Sequence, residues 1–228
     1  MGQDQTRQIT LRIGVLASHH GTTLQAILDA CEAGTLRAQV VTIISNNSQS
    51  GAAQRAQRHA VPFTHLSGRT HPEPEALDGA ICDTLMQHDA DIVVLAGYMK
   101  KLGPRTLKQF EGCILNTHPA LLPKFGGQGM YGSRVHEAVL AAGESTTGVS
   151  IHMVDAGYDT GPVIAQCKVP VHADDTVESL AERVQTRERA FLVETLQTLS
   201  NAAPCGEQIP CREQIRQRMQ QIKMQQND

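Results

Sequence analysis

The chain has 228 residues, a formal net charge of −3 from 20 basic and 23 acidic side chains, and an apolar fraction of 40% without any Trp. This length predicts one large domain, with or without a small appendage, and the balanced charge without a basic stripe argues against nucleic acid as a partner. No signal peptide, membrane-length apolar run or CxxC pair is recognisable, so we expect a cytoplasmic protein that does not engage a membrane.

The first half of the chain alternates apolar runs with amphipathic stretches. Strands are predicted at residues 12–17, 38–46, 62–66, 91–97 and 113–118, and helices at residues 23–34, 50–60 and 74–89. Leu77, Ile81 and Leu85 recur at helical spacing in the last of these helices. The alternation predicts an α/β fold, a single-domain open and mostly parallel Rossmann-like sheet with helices on both faces.

Beyond residue 120 the pattern changes. The glycine-rich segment 124–132 is predicted to be a loop, and a helix is predicted at 133–143. Strands at 148–155 and 163–171 are close enough in sequence to form an antiparallel hairpin that extends the sheet.

A long helix is predicted at residues 175–200. Asp175 or Thr176 is expected to be its N-cap, with Glu178 at the capping-box position. The tail, residues 202–228, is rich in Gln, Arg and Lys and is predicted to be either a solvated helix or disordered.

Three polar residues stand near the ends of predicted strands. Asn116 and His118 lie two apart in CILNTH, so their side chains point the same way on a strand, and Asp159 lies in the turn YDTGPV. Ligands of open α/β sheets bind at the carboxyl ends of the strands. An amide donor beside an imidazole can stabilise an oxyanion and move a proton, and a nearby carboxylate would raise the pKa of the imidazole. A single His or Asn at a strand end is, however, more often a turn or cap residue, and an Asp before TGP is common in ordinary turns.

The turn SHHGTT, residues 18–23, follows the first strand, where α/β proteins hold phosphates. It lacks the G-x-G-x-x-G fingerprint, which argues against the alternative of a nucleotide-dependent oxidoreductase. A zinc site from Cys113, His118, His136 and His152 is a further alternative, but no local ligand spacing supports it.

Six segments, taken in order, resemble those of the folate-dependent formyltransferases: GVLASHHGTTLQAI, VVTIISNN, DIVVLAGYMKKLGP, LNTHPALLP, HMVDAGYDTGPVI and ERVQTRE. The resemblance extends to about residue 200 and is to members that act on glycinamide ribonucleotide (GAR). It implies transfer of a formyl group from 10-formyltetrahydrofolate, a co-substrate, to the amine of GAR in de novo purine biosynthesis, without a metal. It also implies a formyltransferase domain at residues 1–201, which binds the nucleotide phosphate before about residue 100 and binds folate and performs catalysis after it.

The resemblance assigns residues to three roles. Asn116 and protonated His118 would stabilise the oxyanion of a tetrahedral intermediate, and Asp159 would hold His118 protonated. The implied GAR-binding residues are Gly21, Thr22, Thr23, Gln185 and Glu188. The implied folate-binding residues are Met99, Lys100, Lys101, Leu102, Val154, Asp155, Ala156, Gly157 and Tyr158.

The turn SHHGTT departs from the family's Gly-x-Gly-Ser-Asn pattern. A formyltransferase of this fold that acts on a different small phosphorylated or sugar amine is therefore the main alternative. His19 and His20 are expected either to add positive charge below neutral pH or to be exposed turn residues. The loop 124–132 is expected to be a moving lid, small-molecule substrates are the expected partners, and a homodimer is left open.

Overall fold

The computed structural model describes residues 10–201, 213, 215–217 and 220–221, and these form one seven-stranded sheet with helices on both faces. The elements in chain order are β1 (Leu11–Ala17), α1 (Thr22–Glu32), β2 (Ala38–Ser45), α2 (Gly51–Arg58), β3 (Phe63–His65), α3 (Pro74–Gln87), β4 (Ile92–Leu95), α4 (Pro104–Gln109), β5 (Ile114–His118), α5 (Ser133–Ala141), β6 (Thr146–Met153), β7 (Val163–Pro170) and α6 (Val177–Asn201). Within these described ranges, no helix is long and apolar enough to cross a membrane.

The strands lie in the order β3-β2-β1-β4-β5-β6-β7. Strands β1 to β5 are parallel, whereas β6 is antiparallel to β5 and β7 is antiparallel to β6. The predicted fold, an open and mostly parallel sheet extended by an antiparallel hairpin, is confirmed.

Alternating side chains of the central strands enter two different core clusters. One cluster packs the sheet against α1, α2 and α6, and includes Val94 and Leu115. The other packs the opposite face against α3 and α4, and includes Leu95 and Ile114. Because successive side chains of a strand point to opposite faces, both faces of β4 and β5 are dry, as in other parallel sheets covered by helices.

The short helix α4 is missing from the sequence-based prediction. It begins at Pro104, a favoured first helical residue, but its six residues are too few to show a hydrophobic period. Asp78 of α3 holds its first turn, because one carboxylate accepts hydrogen bonds from the Arg105 amide at 2.7 Å, the Thr106 amide at 3.0 Å and the Thr106 hydroxyl at 2.6 Å. A cap supplied by a different helix leaves no signal in the local sequence.

The start of α6 differs in detail from the prediction. Thr176 is the N-cap, but its reciprocal hydrogen bonds are with Ser179: the Ser179 amide donates to Thr176 Oγ1 at 3.2 Å, and the Thr176 amide donates to Ser179 Oγ at 3.0 Å. The prediction that Glu178 completes the capping box is therefore wrong, because Ser179 occupies that role. Asp175 instead pairs with Arg183 at 2.7 Å.

The described residues of the tail are helical, and one of them reaches the core. Ile215 is only 2% exposed and packs in the cluster that contains α1 and α6. Arg216 Nε donates to the Glu111 carbonyl at 2.9 Å. The other residues of 202–228 lie outside the described residues, so a domain that ends near residue 201 stays a prediction.

Replacing Asp78 by Ala is expected to lower the free energy of unfolding by about 2–4 kcal/mol, because it leaves buried donors of α4 without an acceptor. Urea unfolding followed by circular dichroism would measure the change. The control is Asp83→Ala, which removes an exposed carboxylate of α3 that also pairs with Arg105, and it should cost less than about 1 kcal/mol. Equal losses in the two variants would contradict the capping role.

Candidate active site

A cleft of about 870 Å³ opens at the carboxyl ends of β1, β4 and β5, the edge where open α/β sheets bind ligands. Every residue that the sequence analysis assigns to the site lines this cleft except Ala156, which belongs to the same loop as Asp155 and Gly157. The lining residues among those assignments are Gly21, Thr22, Thr23, Met99, Lys100, Lys101, Leu102, Asn116, His118, Val154, Asp155, Gly157, Tyr158, Asp159, Gln185 and Glu188. The structure therefore brings the three assigned groups to one place.

The cleft has two sides, set by the alternation along β5. Asn116 and His118 follow Ile114 on the α3 and α4 face, and they meet the loop between β6 and β7 that carries Asp159. Thr117 follows Leu115 on the opposite face, and it meets Glu188 of α6. We call the first the donor side and the second the acceptor side, after the substrates that the sequence analysis assigns to them.

Asn116 is held by a histidine of the neighbouring strand. Strand pairing sets Asn116 opposite His152, and Asn116 Nδ2 lies 3.1 Å from His152 Nε2. His152 Nδ1 lies 2.9 Å from the Met153 carbonyl, to which it donates. One N–H of the Asn116 amide is directed at His152 Nε2, and the second N–H is left for the cleft.

His118 is buried, with two partners of different kinds. Its Nε2 donates to the Phe125 carbonyl at 2.7 Å, and its Nδ1 lies 3.4 Å from Asp159 Oδ2. Burial is the largest effect and lowers the pKa of His118 below its usual value, although Asp159 and the Phe125 carbonyl act to raise it. The carboxylate of Asp159 thus acts on the pKa of His118 in the expected direction, against the larger effect of burial. A protonated His118, as the family resemblance implies, stays a prediction.

Asp159 joins these groups. Its Oδ1 lies 3.4 Å from His152 Nε2, and its Oδ2 accepts from the Gly127 amide at 3.1 Å. Burial alone would raise the pKa of Asp159, but the contact with His152, the charge of His118 and the Gly127 amide lower it below its usual value. Asp159 is therefore an ionised carboxylate that contacts both histidines.

The turn at residues 18–23 is clamped against α2. The His19 carbonyl accepts from the Ala52 amide at 3.4 Å, and the His20 carbonyl accepts from Arg55 Nε at 3.1 Å. Gly21, the N-cap of α1, has φ = 68°, and among the described residues no side chain caps this helix. The first amides and the positive dipole end of α1 therefore remain available to an anion. His19 and His20 are both exposed, and both line the cleft.

The mouth of the donor side carries exposed cationic and aromatic side chains. Lys101 Nζ lies 5.3 Å from the centre of the Tyr158 ring, and Tyr158 is 49% exposed. Met99 is 42% exposed, and its amide donates to Ser18 Oγ at 2.8 Å, which ties this segment to β1. An exposed apolar surface beside lysines suits a flat ligand with an anionic end.

The glycine-rich loop 124–132 borders the cleft and is tied to the cluster at its start. Phe125 and Gly127 make the hydrogen bonds to His118 and Asp159 described above. Farther along, Tyr131 is 48% exposed and Arg134 stacks over its ring at 5.1 Å. The loop is anchored at the catalytic end and open at its tip, and its motion as a lid stays a prediction.

Five further residues line the cleft and bear on its chemistry: Tyr98, Thr117, His136, His152 and Arg189. Sequence reasoning gave none of them a role in formyl transfer, and named His136 and His152 only for the alternative zinc site. His136 is 1% exposed, and its Nδ1 has no hydrogen-bond partner in the described part of the chain. Of these residues, only His152 could have been found from the sequence, because antiparallel pairing of β6 with β5 sets it opposite Asn116. No three His, Cys, Asp or Glu side chains within residues 10–201 or the described tail positions are grouped to hold a metal ion.

Comparison with known proteins gives consistent matches. A family model described as formyl transferase matches residues 11–196. Phosphoribosylglycinamide formyltransferase of Mycobacterium tuberculosis is 43% identical over 189 residues, which cover 83% of this chain and 85% of that protein. The chloroplastic phosphoribosylglycinamide formyltransferase of Vigna unguiculata is 40% identical over 196 residues, 84% of this chain, but the chain spans only 62% of its length. Among solved structures, glycinamide ribonucleotide transformylase 1 from Geobacillus kaustophilus aligns with a TM-score of 0.78 at 38% identity, covering 84% of this chain and 99% of the other.

Replacing Asp159 by Asn is expected to lower the pKa of His118 further, because the amide removes the negative charge that favours the imidazolium and leaves only the Phe125 carbonyl to oppose burial. An NMR titration of the histidine ring protons would measure the pKa. The exposed carboxylate of Asp174 provides the control, and Asp174→Asn should leave the His118 titration unchanged. A higher His118 pKa in Asp159→Asn would contradict this account.

Proposed function

The chain belongs to the formyl transferase family, and we propose that it transfers a formyl group from 10-formyltetrahydrofolate to the amine of GAR, a step of purine biosynthesis. The observation that carries the proposal is the cluster of Asn116, His118 and Asp159 at the junction of the two sides of the cleft. A two-substrate reaction needs its proton-transfer groups where the bound substrates meet, and this cluster has that position.

The proposed chemistry begins with attack of the acceptor amine on the formyl carbon. The carbon becomes tetrahedral, its oxygen becomes an oxyanion, and the N–H of Asn116 that His152 does not use donates to that oxygen. A donor of this kind is typically worth about 2.7–4 kcal/mol in the transition state.

In this proposal the neutral form of His118, which burial favours, accepts the proton that the amine nitrogen loses. The imidazolium that forms is stabilised by the Asp159 carboxylate and by the oxyanion. When the bond from the formyl carbon to N10 of the folate breaks, that nitrogen takes the proton, the carbonyl re-forms, and His118 returns to its neutral state. One proton and one formyl group change partners, and no oxidant is required.

The acceptor side is proposed to bind the GAR phosphate at the start of α1, with Gly21, Thr22 and Thr23. The amides of a free helix N-terminus and two nearby hydroxyl groups are suitable donors for phosphate oxygens. Gln185 and Glu188 of α6 border the same side and are proposed to bind the sugar and glycinamide portion.

The donor side is proposed to bind the folate. Met99 and Leu102 offer apolar surface to the pterin and benzoyl rings, and the loop 154–158 forms the opposite wall. Lys100 and Lys101 are placed at the mouth, where the carboxylates of the folate would be solvated.

The small-molecule substrates do not determine where the protein is located or how it assembles, so a cytoplasmic location and a homodimer are separate proposals. In the described part of the chain, Cys31, Cys82 and Cys167 form no disulfide, which agrees with the proposed reducing cytoplasm. A homodimer is the proposed assembly to be compared with a monomer by light scattering.

The proposal is tested by incubating the protein with 10-formyltetrahydrofolate and GAR, which should yield tetrahydrofolate and formyl-GAR. His118→Ala should lower kcat by about 10²–10⁴-fold because it removes the proton acceptor. The matched control is His172→Ala at an exposed position, which should retain full turnover. Turnover of another small amine but not of GAR would contradict the acceptor assignment, and full activity of His118→Ala would contradict the mechanism.

Replacing Gly21 by Ala is expected to raise the KM for GAR about tenfold and leave the KM for the formyl donor unchanged. The residue has a positive φ, and an added Cβ would press on the backbone of Ala52, so the phosphate turn must shift. Gly34→Ala is the control, since Gly34 has nearly the same φ but open space around it. Steady-state kinetics with each substrate varied would separate the effects, and equal changes in the two variants would contradict a specific role of the turn.

A further inference from the structure

One side chain between the two catalytic residues of β5 faces the acceptor side and has no role in the chemistry proposed above. Thr117 Oγ1 donates to Glu188 Oε1 at 2.5 Å, and this bond joins β5 to α6 across the cleft. A carboxylate can only accept, so the hydroxyl supplies the proton of the bond. The distance is that of a charge-assisted hydrogen bond, which is stronger than a bond between neutral groups.

Opposing effects act on the pKa of the Glu188 carboxyl. Burial of its carboxyl raises the pKa of Glu188, while the Thr117 hydroxyl and the charge of Arg189 act to lower it. The Thr117 hydroxyl therefore favours the ionised carboxylate at a site where solvent gives little help. The other titratable groups that border the same cleft are His19 and His20 from the turn before α1, Tyr98, Lys100 and Lys101 after β4, His118 from β5, Tyr131 from the glycine-rich loop, Arg134 and His136 from α5, His152 from β6, and Asp155, Tyr158 and Asp159 from the loop after β6.

We propose that Thr117 is a positioning residue for the acceptor: its hydroxyl holds the Glu188 carboxylate in the orientation that accepts hydrogen bonds from the sugar hydroxyls of a phosphoribosyl amine. This inference rests on the proposed function, because it requires an acceptor that carries a sugar. Sugar hydroxyls are donors, and an ionised, immobilised carboxylate is the acceptor best suited to bind a pair of them.

The position of Thr117 gives the bond a consequence beyond affinity. Asn116 and His118 are its neighbours in sequence, so the same three residues of β5 hold the proton-transfer groups on one face and the acceptor-binding carboxylate on the other. The position of the bound acceptor is thereby fixed relative to the strand that carries the proton-transfer groups. If the Thr117–Glu188 hydrogen bond only held β5 and α6 together, its loss would lower the stability of the protein without a selective effect on acceptor binding.

The test compares Thr117→Val, which keeps the shape but removes the hydroxyl, with Thr117→Ser, which keeps the hydroxyl. With the formyl donor saturating, Thr117→Val should raise the KM for GAR about tenfold, as expected for the loss of a hydrogen bond to a charged group. The kcat and the KM for the formyl donor should stay within about twofold of the wild-type values, and Thr117→Ser should restore the KM for GAR.

The dependence of this KM on pH gives a second readout. In the wild-type protein, the KM for GAR should rise as the pH falls and Glu188 takes up a proton. Thr117→Val should move the midpoint of this rise to higher pH, because the lost hydrogen bond stabilised the ionised form. In a Glu188→Gln background, Thr117→Val should add little, since the group that it positions is no longer a carboxylate.

Thr147→Val is the matched control. Thr147 is buried in β6, and within the described part of the chain its hydroxyl has no hydrogen-bond partner, so its loss should leave both KM values unchanged. An unchanged KM for GAR in Thr117→Val, an equal change in both KM values and kcat, or failure of Thr117→Ser to restore binding would overturn the inference.

Failure of the proposed function is distinguishable from failure of this inference. If the wild-type protein does not formylate GAR, the function fails, and calorimetric binding of ribose 5-phosphate still tests Thr117. Weaker binding of this probe by Thr117→Val, by about tenfold, would support the positioning role. Equal binding by both proteins, or no binding by the wild type, would overturn it.

Discussion

The alternation of side chains along β5 is the constraint on which the cleft depends. The register with β6, in which Asn116 lies opposite His152 and His118 opposite Ser150, determines which side chains face the loop of Asp159 and which face α6. A slip of one residue would exchange the two faces and separate His118 from its carboxylate. Leu115 and Ile114 are buried in different core clusters, so a slip would also exchange their packing environments. The apolar packing of Ile114 and Leu115, in the same strand, therefore maintains the geometry of the polar groups that follow them.

Burial and charge pairing oppose each other at His118, and burial prevails. A histidine with a freely solvated ring beside a carboxylate would carry a proton at rest and could not accept one from an amine. Burial favours the neutral ring, whereas Asp159, whose Oδ2 lies 3.4 Å from His118 Nδ1, favours the imidazolium. The hydrogen bond to the Phe125 carbonyl occupies Nε2, so in the proposed mechanism Nδ1 is the atom whose proton occupancy changes. In that mechanism the carboxylate would contribute most when the oxyanion develops, which is what selective stabilisation of a transition state requires.

The order of most strands and helices could be predicted from the sequence because each carries a local period. The residues assigned to the site could be named in advance because they belong to contiguous motifs near strand ends, and the structure places them along one cleft. What escaped prediction depends on distant partners. Helix α4 owes its first turn to Asp78 of another helix, and Thr117 acquires its role from Glu188 of α6. A motif also shows the carboxylate near His118 but not the extent of the burial that lowers its pKa. Sequence pattern therefore identified the groups that line the cleft, and packing determines their contacts and the directions in which their pKa values shift.

The geometry of the turn SHHGTT explains why one glycine would be sufficient for the proposed phosphate site. The backbone of this turn lies close to α2: Gly21 lies against Ala52, and a side chain on Gly51 would meet the His20 carbonyl. Both histidine carbonyls are engaged by α2, and among the described residues no side chain caps the first turn of α1. A phosphate bound there, as proposed, would contact backbone that α2 supports, so side chains at positions 19 and 20 can differ from the usual family pattern without removing the donors. In the same proposal, selectivity for the rest of the acceptor would fall to the carboxylate of Glu188, which the Thr117 hydroxyl contacts.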